Sequence, residues 1–174
     1  APDKFKGSLD APQVCLALKE ALLEARSDIR ITSIPMADGG EGTSDMLTEF
    51  TKGKKISLRV LDPFFRPIEA RYGISGDGST AFIEMAVASG LQLPRREERN
   101  ALIGTTYGTG QLISDALDRG VKSIILGVGG SGTNDAGIGM GEALGARFFD
   151  QAGNKLLPTG ENLIAIHTID LDDL

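Results

Sequence analysis

The densest set of chemistry-bearing groups lies in residues 127–141, GVGGSGTNDAGIGMG, where seven glycines interleave with Ser131, Thr133, Asn134 and Asp135. A glycine costs roughly 0.5–1 kcal/mol of backbone entropy relative to alanine, so such a run implies a compensating use, and close approach of backbone to a ligand is the use it suggests. Backbone amides from Gly129, Gly130, Ser131 and Thr133 would suit a phosphate. An acid at Asp135 makes chemical sense beside that phosphate if Mg²⁺ lies between them.

Two further loops carry complementary groups. Residues 38–43, DGGEGT, place Asp38 and Glu41 among Gly39, Gly40 and Gly42, a spacing that suits either a cation or a substrate hydroxyl. A plain tight turn is the alternative, but it needs one glycine and not three interleaved with two acids. Residues 3–8, DKFKGS, precede a helix pattern, so Lys6 and Ser8 would add a cation and a hydroxyl where exposed amides attract anions. An ordinary capped helix start explains that loop equally well. Glu84 ends an apolar run and is either a buried carboxylate stabilised by a helix N-terminus or a structural anchor. Thr105, Thr106 and Thr109 offer hydroxyls that suit ligand binding or simple capping.

One motif competes with the phosphate-and-metal reading. Gly127, Gly129 and Gly132 spell G-x-G-x-x-G after a strand pattern, with Asp150 at about the distance of a ribose-binding acid in a dinucleotide fold. Asp135 then falls where a helix should receive a pyrophosphate, and the recurring Gly137, Gly139 and Gly141 weaken that helix. The P-loop pattern is absent from the chain. His167 is the single histidine and Cys15 the single cysteine, so neither a His/Cys zinc site nor an internal disulfide is possible.

The elements expected to position these loops follow from periodicity. Asp10 as N-cap, Pro12 in the first turn, and Val14, Leu18, Ala21, Leu22 and Ala25 at helical spacing predict a helix to about Arg26. The β-branched alternation of IRITSI from Ile29 predicts a strand, followed by a helix over residues 43–51 that Gly53 stops. Alternation at Ile56, Leu58 and Val60, the DPFFRP bend, alternation from Ile68 to Ile74, the SGDGS turn and TAFIEM then predict adjacent strands. A helix over 109–119 ended by Gly120, a strand at KSIIL, a helix over 138–144, a strand at RFF and a final helix-strand pair complete the order. Helix-strand alternation gives way to consecutive strands near residue 57, which is where a domain boundary is expected.

Composition bounds the function classes. A formal charge of −6 and dispersed basic residues argue against a nucleic-acid footprint. No apolar run reaches the roughly 20 residues of a membrane span, and the single cysteine fits a cytosolic protein, so a cytoplasmic location is the expectation. The chain opens on APDKFKGSL without methionine and closes on HTIDLDDL, as a portion of something longer would.

Taken in order, APDKFKGSL, PMADGGEGT, IEMAVASGLQL, TTYGTGQLI and GVGGSGTNDAGIGM make the chain resemble the bacterial type I glycerate kinase family over nearly its whole length. Asp3, Phe5, Lys6, Gly7 and Ser8 match the family's opening motif; Lys4 stands where serine is common and is therefore a poor catalytic candidate. Asp38, Gly39, Gly40, Glu41, Gly42 and Thr43 match the second motif, and Gly129, Gly130, Ser131, Thr133, Asn134 and Asp135 the last, with Gly132 where alanine is frequent. The resemblance implies an α/β, two-domain architecture: a Rossmann-like domain built from both chain ends, represented here by residues 1–57, and an inserted mixed α/β domain over 58–174. A later motif rich in Gly, Glu, Asp and Lys is not in this segment. It further implies ATP-dependent phosphorylation of D-glycerate, giving 2-phosphoglycerate, with Mg²⁺.

Phosphoryl transfer relies on positioning and charge neutralisation more than on covalent help. Within that frame Lys6, Asp38 and Asp135 are the expected catalytic residues, with Glu41 and Asp135 holding Mg²⁺. Asp38 would orient or deprotonate the attacking hydroxyl. Asp3, Ser8, Gly39, Gly40, Thr43, Thr106, Gly129, Gly130, Ser131, Thr133 and Asn134 would contact glycerate or phosphate. An NAD-dependent oxidoreductase using the 127–132 glycines and a non-catalytic anion-binding fragment remain the rival readings.

Overall fold

The computed structural model describes residues 1–5 and 8–174. Helix α1, Ala11–Ala25, starts as its sequence demands: the Asp10 side chain accepts the Gln13 amide at 2.8 Å while Gln13 Oε1 accepts the Asp10 amide at 2.9 Å, with Pro12 in the first turn. Ala11, Val14 and Cys15 are buried, whereas Leu16, Leu18 and Leu22 are about half exposed.

The strand expected from Ile29 does not form. Residues 29–37 belong to no ladder, and the Met36 amide donates to the Pro2 carbonyl at 3.0 Å. A β pattern describes a surface that fits a sheet; the strand itself exists only when a neighbour supplies donors and acceptors.

Helix α2, Thr43–Phe50, follows Gly42 in the left-handed region. Its stop differs from expectation: Lys52 takes the positive φ of 54°, and Gly53 is required instead because a Cβ there would overlap the Ile74 carbonyl. Strands β1, Lys54–Leu61, and β2, Pro67–Ile74, pair antiparallel from Lys54↔Ile74 to Leu61↔Pro67. Asp62 holds their bend by accepting the amides of Phe64 and Arg66 and the Arg66 guanidinium at 2.7 Å. The expected boundary near residue 57 falls within β1.

Strand β3, Thr80–Glu84, pairs antiparallel with β2 after the SGDGS turn and parallel with β4, Ser123–Gly127. The sheet order is β1-β2-β3-β4. Between β3 and β4 the chain crosses over through α3, Ala86–Ser89, and α4, Tyr107–Asp118, which Gly120 ends at φ 82° as anticipated. Tyr72, Ile74, Ile83, Leu112 and Ala116 form the centre of the core between this sheet and α4. Helix α5, Ile138–Ala143, and the antiparallel pair β5, Arg147–Phe149, with β6, Thr168–Asp170, enclose a second cluster around Ile138, Ala146 and Phe148. The final helix is a short 3₁₀ stretch, Gly160–Ala165. The class is mixed α/β, as expected.

Candidate functional site

The parallel pair β3–β4 ends at the register Glu84↔Gly127. Loops leaving the carboxyl ends of parallel strands are where α/β sheets gather ligands. Three segments, two of them following β3 and β4, converge here. The Met85 amide donates to the Gly127 carbonyl at 2.8 Å, Leu91 to Gly130 at 2.9 Å, and Gly132 back to Ser89 at 2.8 Å, so residues 85–91 and 127–132 are laced together. The Gly129 amide donates to the Gly39 carbonyl at 3.1 Å, which docks residues 38–43 on the same assembly.

That lacing explains several glycines differently from their first reading. A Cβ on Gly127 would lie 2.5 Å from the Gly39 oxygen, on Gly129 2.7 Å from Gly40 Cα, and on Gly132 2.6 Å from Leu91 Cα. These three admit other backbone, not a ligand. The amides of Gly129 and Gly132 are likewise bonded to protein carbonyls.

Within residues 38–43, Asp38 is exposed and its Oδ1 accepts the Gly40 amide at 3.0 Å. Thr43 donates its hydroxyl to the Gly40 carbonyl at 2.6 Å, closing the turn. Beneath it Glu84, 4 % exposed, accepts the Ser44 amide at 2.6 Å at the start of α2, and Ser44 donates its own hydroxyl to the Phe82 carbonyl. Burial raises the Glu84 carboxyl above its ordinary value; the Ser44 amide opposes that shift and does not cancel it. Glu84 is thus a buried carboxylate at a helix N-terminus. Lys4, set aside on resemblance, enters this group: its Nζ donates to the Glu41 carbonyl. Its charge also acts on Glu84.

Asp135 and Thr106 belong to a different junction. Asp135 is 1 % exposed, and its carboxylate accepts the Thr106 amide at 2.7 Å, the Thr106 hydroxyl at 2.8 Å, and the amides of Gly137 and Gly139 at 3.1 Å each. The Thr106 hydroxyl in turn accepts the Met140 amide at 2.9 Å. One carboxylate therefore joins the start of α4 to the start of α5. A Cβ on Gly139 would overlap the Thr105 hydroxyl and lie 2.6 Å from the Tyr107 amide, so this crossing also depends on glycine. Thr109 links the junction to the laced loops through a 2.6 Å bond with Ser89, both fully buried.

The expected Mg²⁺ pair does not fit this geometry. Asp135 is sealed and already accepts four donors, while Glu41 is an exposed residue of another loop. Among the described residues no group of three or more His, Cys, Asp or Glu side chains is placed to hold a metal ion. Thr106, buried and bonded on both sides, is likewise part of the helix junction. Lys6 and Gly7 lie outside the described residues. Ser8 is exposed, and Asp3 accepts the Lys4 amide at 2.7 Å. Ser131 and Thr133 pair through their hydroxyls at 3.2 Å and are partly exposed, with Asn134 exposed beside them.

The dinucleotide fingerprint is not realised. Its glycine amides face protein carbonyls, helix α5 begins only at Ile138, and Asp150 caps its own turn by accepting the Asn154 amide at 2.8 Å. Two surface depressions lie elsewhere, one beside Arg59 and Glu69 and one beside Ser75 and Asp77. No helix among the described residues is long and apolar enough to cross a membrane.

The whole chain, residues 1–174, matches the sequence model of the glycerate kinase family. It is 45% identical to the glycerate 2-kinase of Escherichia coli K12 across 100% of this chain and 46% of that protein. The glycerate kinases of Haemophilus influenzae and Bacillus cereus are each 47% identical over the same shares. A crystal structure assigned as a glycerate kinase 2 from Salmonella typhimurium LT2 superposes with a TM-score of 0.87 at 44% identity, covering 99% of this chain and 47% of that one. The chain spans about half the length of these relatives. On these grounds it belongs to the glycerate kinase family.

Proposed function

We propose that these residues form the substrate-facing part of an ATP-dependent kinase that transfers the γ-phosphoryl group to a hydroxyl of D-glycerate, giving 2-phosphoglycerate. The observation that carries this reading is the convergence of residues 38–43, 85–91 and 127–132 at the carboxyl end of β3–β4, in a chain of this family. Asp38, exposed on that assembly, takes the proton as the hydroxyl oxygen bonds to the γ-phosphorus and the bond to ADP breaks. Gly130, Ser131 and Thr133 supply amides and hydroxyls to a phosphate, with Asn134 at their edge. Lys6 and Ser8 serve the anionic group of glycerate, and Asp3 contacts the substrate elsewhere. Residues 1–57 and 58–174 correspond in this reading to a portion of a Rossmann-like domain and to an inserted domain.

Asp135 holds α4 and α5 together in this reading and is not a metal ligand. Mg²⁺ enters, in this reading, with ATP. In a cytoplasmic, small-molecule role no nucleic acid is involved. Phosphorus NMR of the product from full-length protein, ATP and D-glycerate tests the assignment. The 2-phosphate ester is expected; the 3-phosphate ester would redirect the hydroxyl assignment, and no ester would remove the kinase reading.

A further inference from the structure

The ammonium of Lys4 sits inside the loop assembly although its position gives no family signal. Its Nζ donates to the Glu41 carbonyl across 37 residues of chain. The space above Gly40 has two polar borders: a Cβ there would lie 3.0 Å from Asp38 Oδ1 and 3.4 Å from Lys4 Nζ. The ammonium and the Asp38 carboxylate therefore flank the same point of the loop.

We propose that Lys4 is a positioning residue: by tying the Glu41 carbonyl and lying beside Asp38 over Gly40, it fixes the orientation in which residues 38–43 present the Asp38 carboxylate. The physical case rests on what else holds the loop. Gly39 and Gly42 have positive φ values of 86° and 95°, which leave the segment many alternative paths when unfastened. Among the described residues its tethers include the Gly39 carbonyl to Gly129, the Thr43 hydroxyl to the Gly40 carbonyl, the Ser44 amide to Glu84, and Lys4. Among the described residues, Lys4 grips the middle of the loop from outside it with a charged donor. A hydrogen bond from a charged group is roughly twice as strong as a neutral one. The proposal rests on the proposed role of Asp38 for its kinetic consequence, and on geometry alone for the pinning itself.

Two variants of the full-length protein separate these parts. Lys4→Met keeps the apolar stem and removes the charge and donors; Lys4→Arg keeps both. Hydrogen exchange of residues 36–46, read by mass spectrometry, should run about tenfold faster in Lys4→Met, the scale of one charge-assisted hydrogen bond, while β1–β4 stay protected. Lys4→Arg should restore slow exchange. In the kinase assay Lys4→Met should lower kcat by about tenfold with KM for ATP nearly unchanged, and Lys4→Arg should recover most of the loss. Unchanged exchange in Lys4→Met overturns the pinning. Faster exchange with wild-type kcat overturns the positioning role. Faster exchange in Lys4→Met, with no glycerate-dependent turnover by the wild-type protein itself, supports the pinning and removes the proposed function instead.

Discussion

Replacing Asp135 with Asn separates the two roles proposed for this carboxylate. Its Oδ2 accepts three bonds, from the Thr106 amide, the Thr106 hydroxyl and the Gly139 amide, and its Oδ1 accepts one from Gly137. An Asn oriented to keep the three sets its NH₂ against the Gly137 N–H, and the other orientation loses more. A buried donor left facing a donor costs about 1–3 kcal/mol. Loss of the negative charge beside two helix starts adds up to about 1 kcal/mol. A destabilisation of about 1–4 kcal/mol follows, and with m near 2–3 kcal/mol/M it lowers the urea midpoint by roughly 0.3–2 M. Equilibrium urea unfolding of full-length wild type and Asp135→Asn, followed by a probe on the domain containing α4 and α5, makes the measurement. If the midpoint stays within about 0.2 M of wild type while turnover collapses, the carboxylate works on ligand and the clamp assignment is wrong.

Other perturbations probe the neighbouring contacts. Gly129→Ala would bring a Cβ 2.7 Å from Gly40 Cα and so displace the 38–43 loop; kcat/KM should fall by roughly tenfold or more, measured under steady-state conditions. Gly139→Ala presses on Thr105 and the Tyr107 amide, and a thermal melt should show a loss of about 1–3 kcal/mol, the scale of overpacking. Glu84 provides a pH test. Its folded carboxyl is held above its ordinary value of 4.5, so its contribution to stability is fullest below that value and is lost as pH rises through the folded value. Stability of Glu84→Gln relative to wild type should therefore improve between about pH 4 and pH 7 in paired denaturant titrations.

Local chemistry was legible wherever a residue's partner lay within a few positions. Asp10, Pro12 and Gln13 announce the start of α1, Gly120 ends α4, and the alternation over 56–74 yields the β1–β2 hairpin. The stretch from Ile29 was misread because periodicity reports a surface and not a neighbour. The glycine run was located correctly but explained too simply. Gly127, Gly129 and Gly132 make room for Gly39, Gly40 and Leu91, contacts separated by 41 to 89 positions that spacing cannot reveal. Asp135 carried a usable signal, an acid shortly before a helix start, which is the pattern of a capping residue. Its second partner, Thr106, appears only when α4 and α5 cross. Lys4 shows the converse limit, since departure from a family motif removed it from consideration although the fold brings its ammonium into the loop.

The central claim is that Asp38, presented where residues 38–43 meet residues 127–132, serves phosphoryl transfer to glycerate. ADP release by the full-length protein, measured with and without D-glycerate for wild type and Asp38→Asn, tests it most directly. The expected result is glycerate-dependent release by wild type and a kcat at least about 10²-fold lower in the variant, with folding intact. Release independent of glycerate, or near-normal turnover by Asp38→Asn, would contradict it.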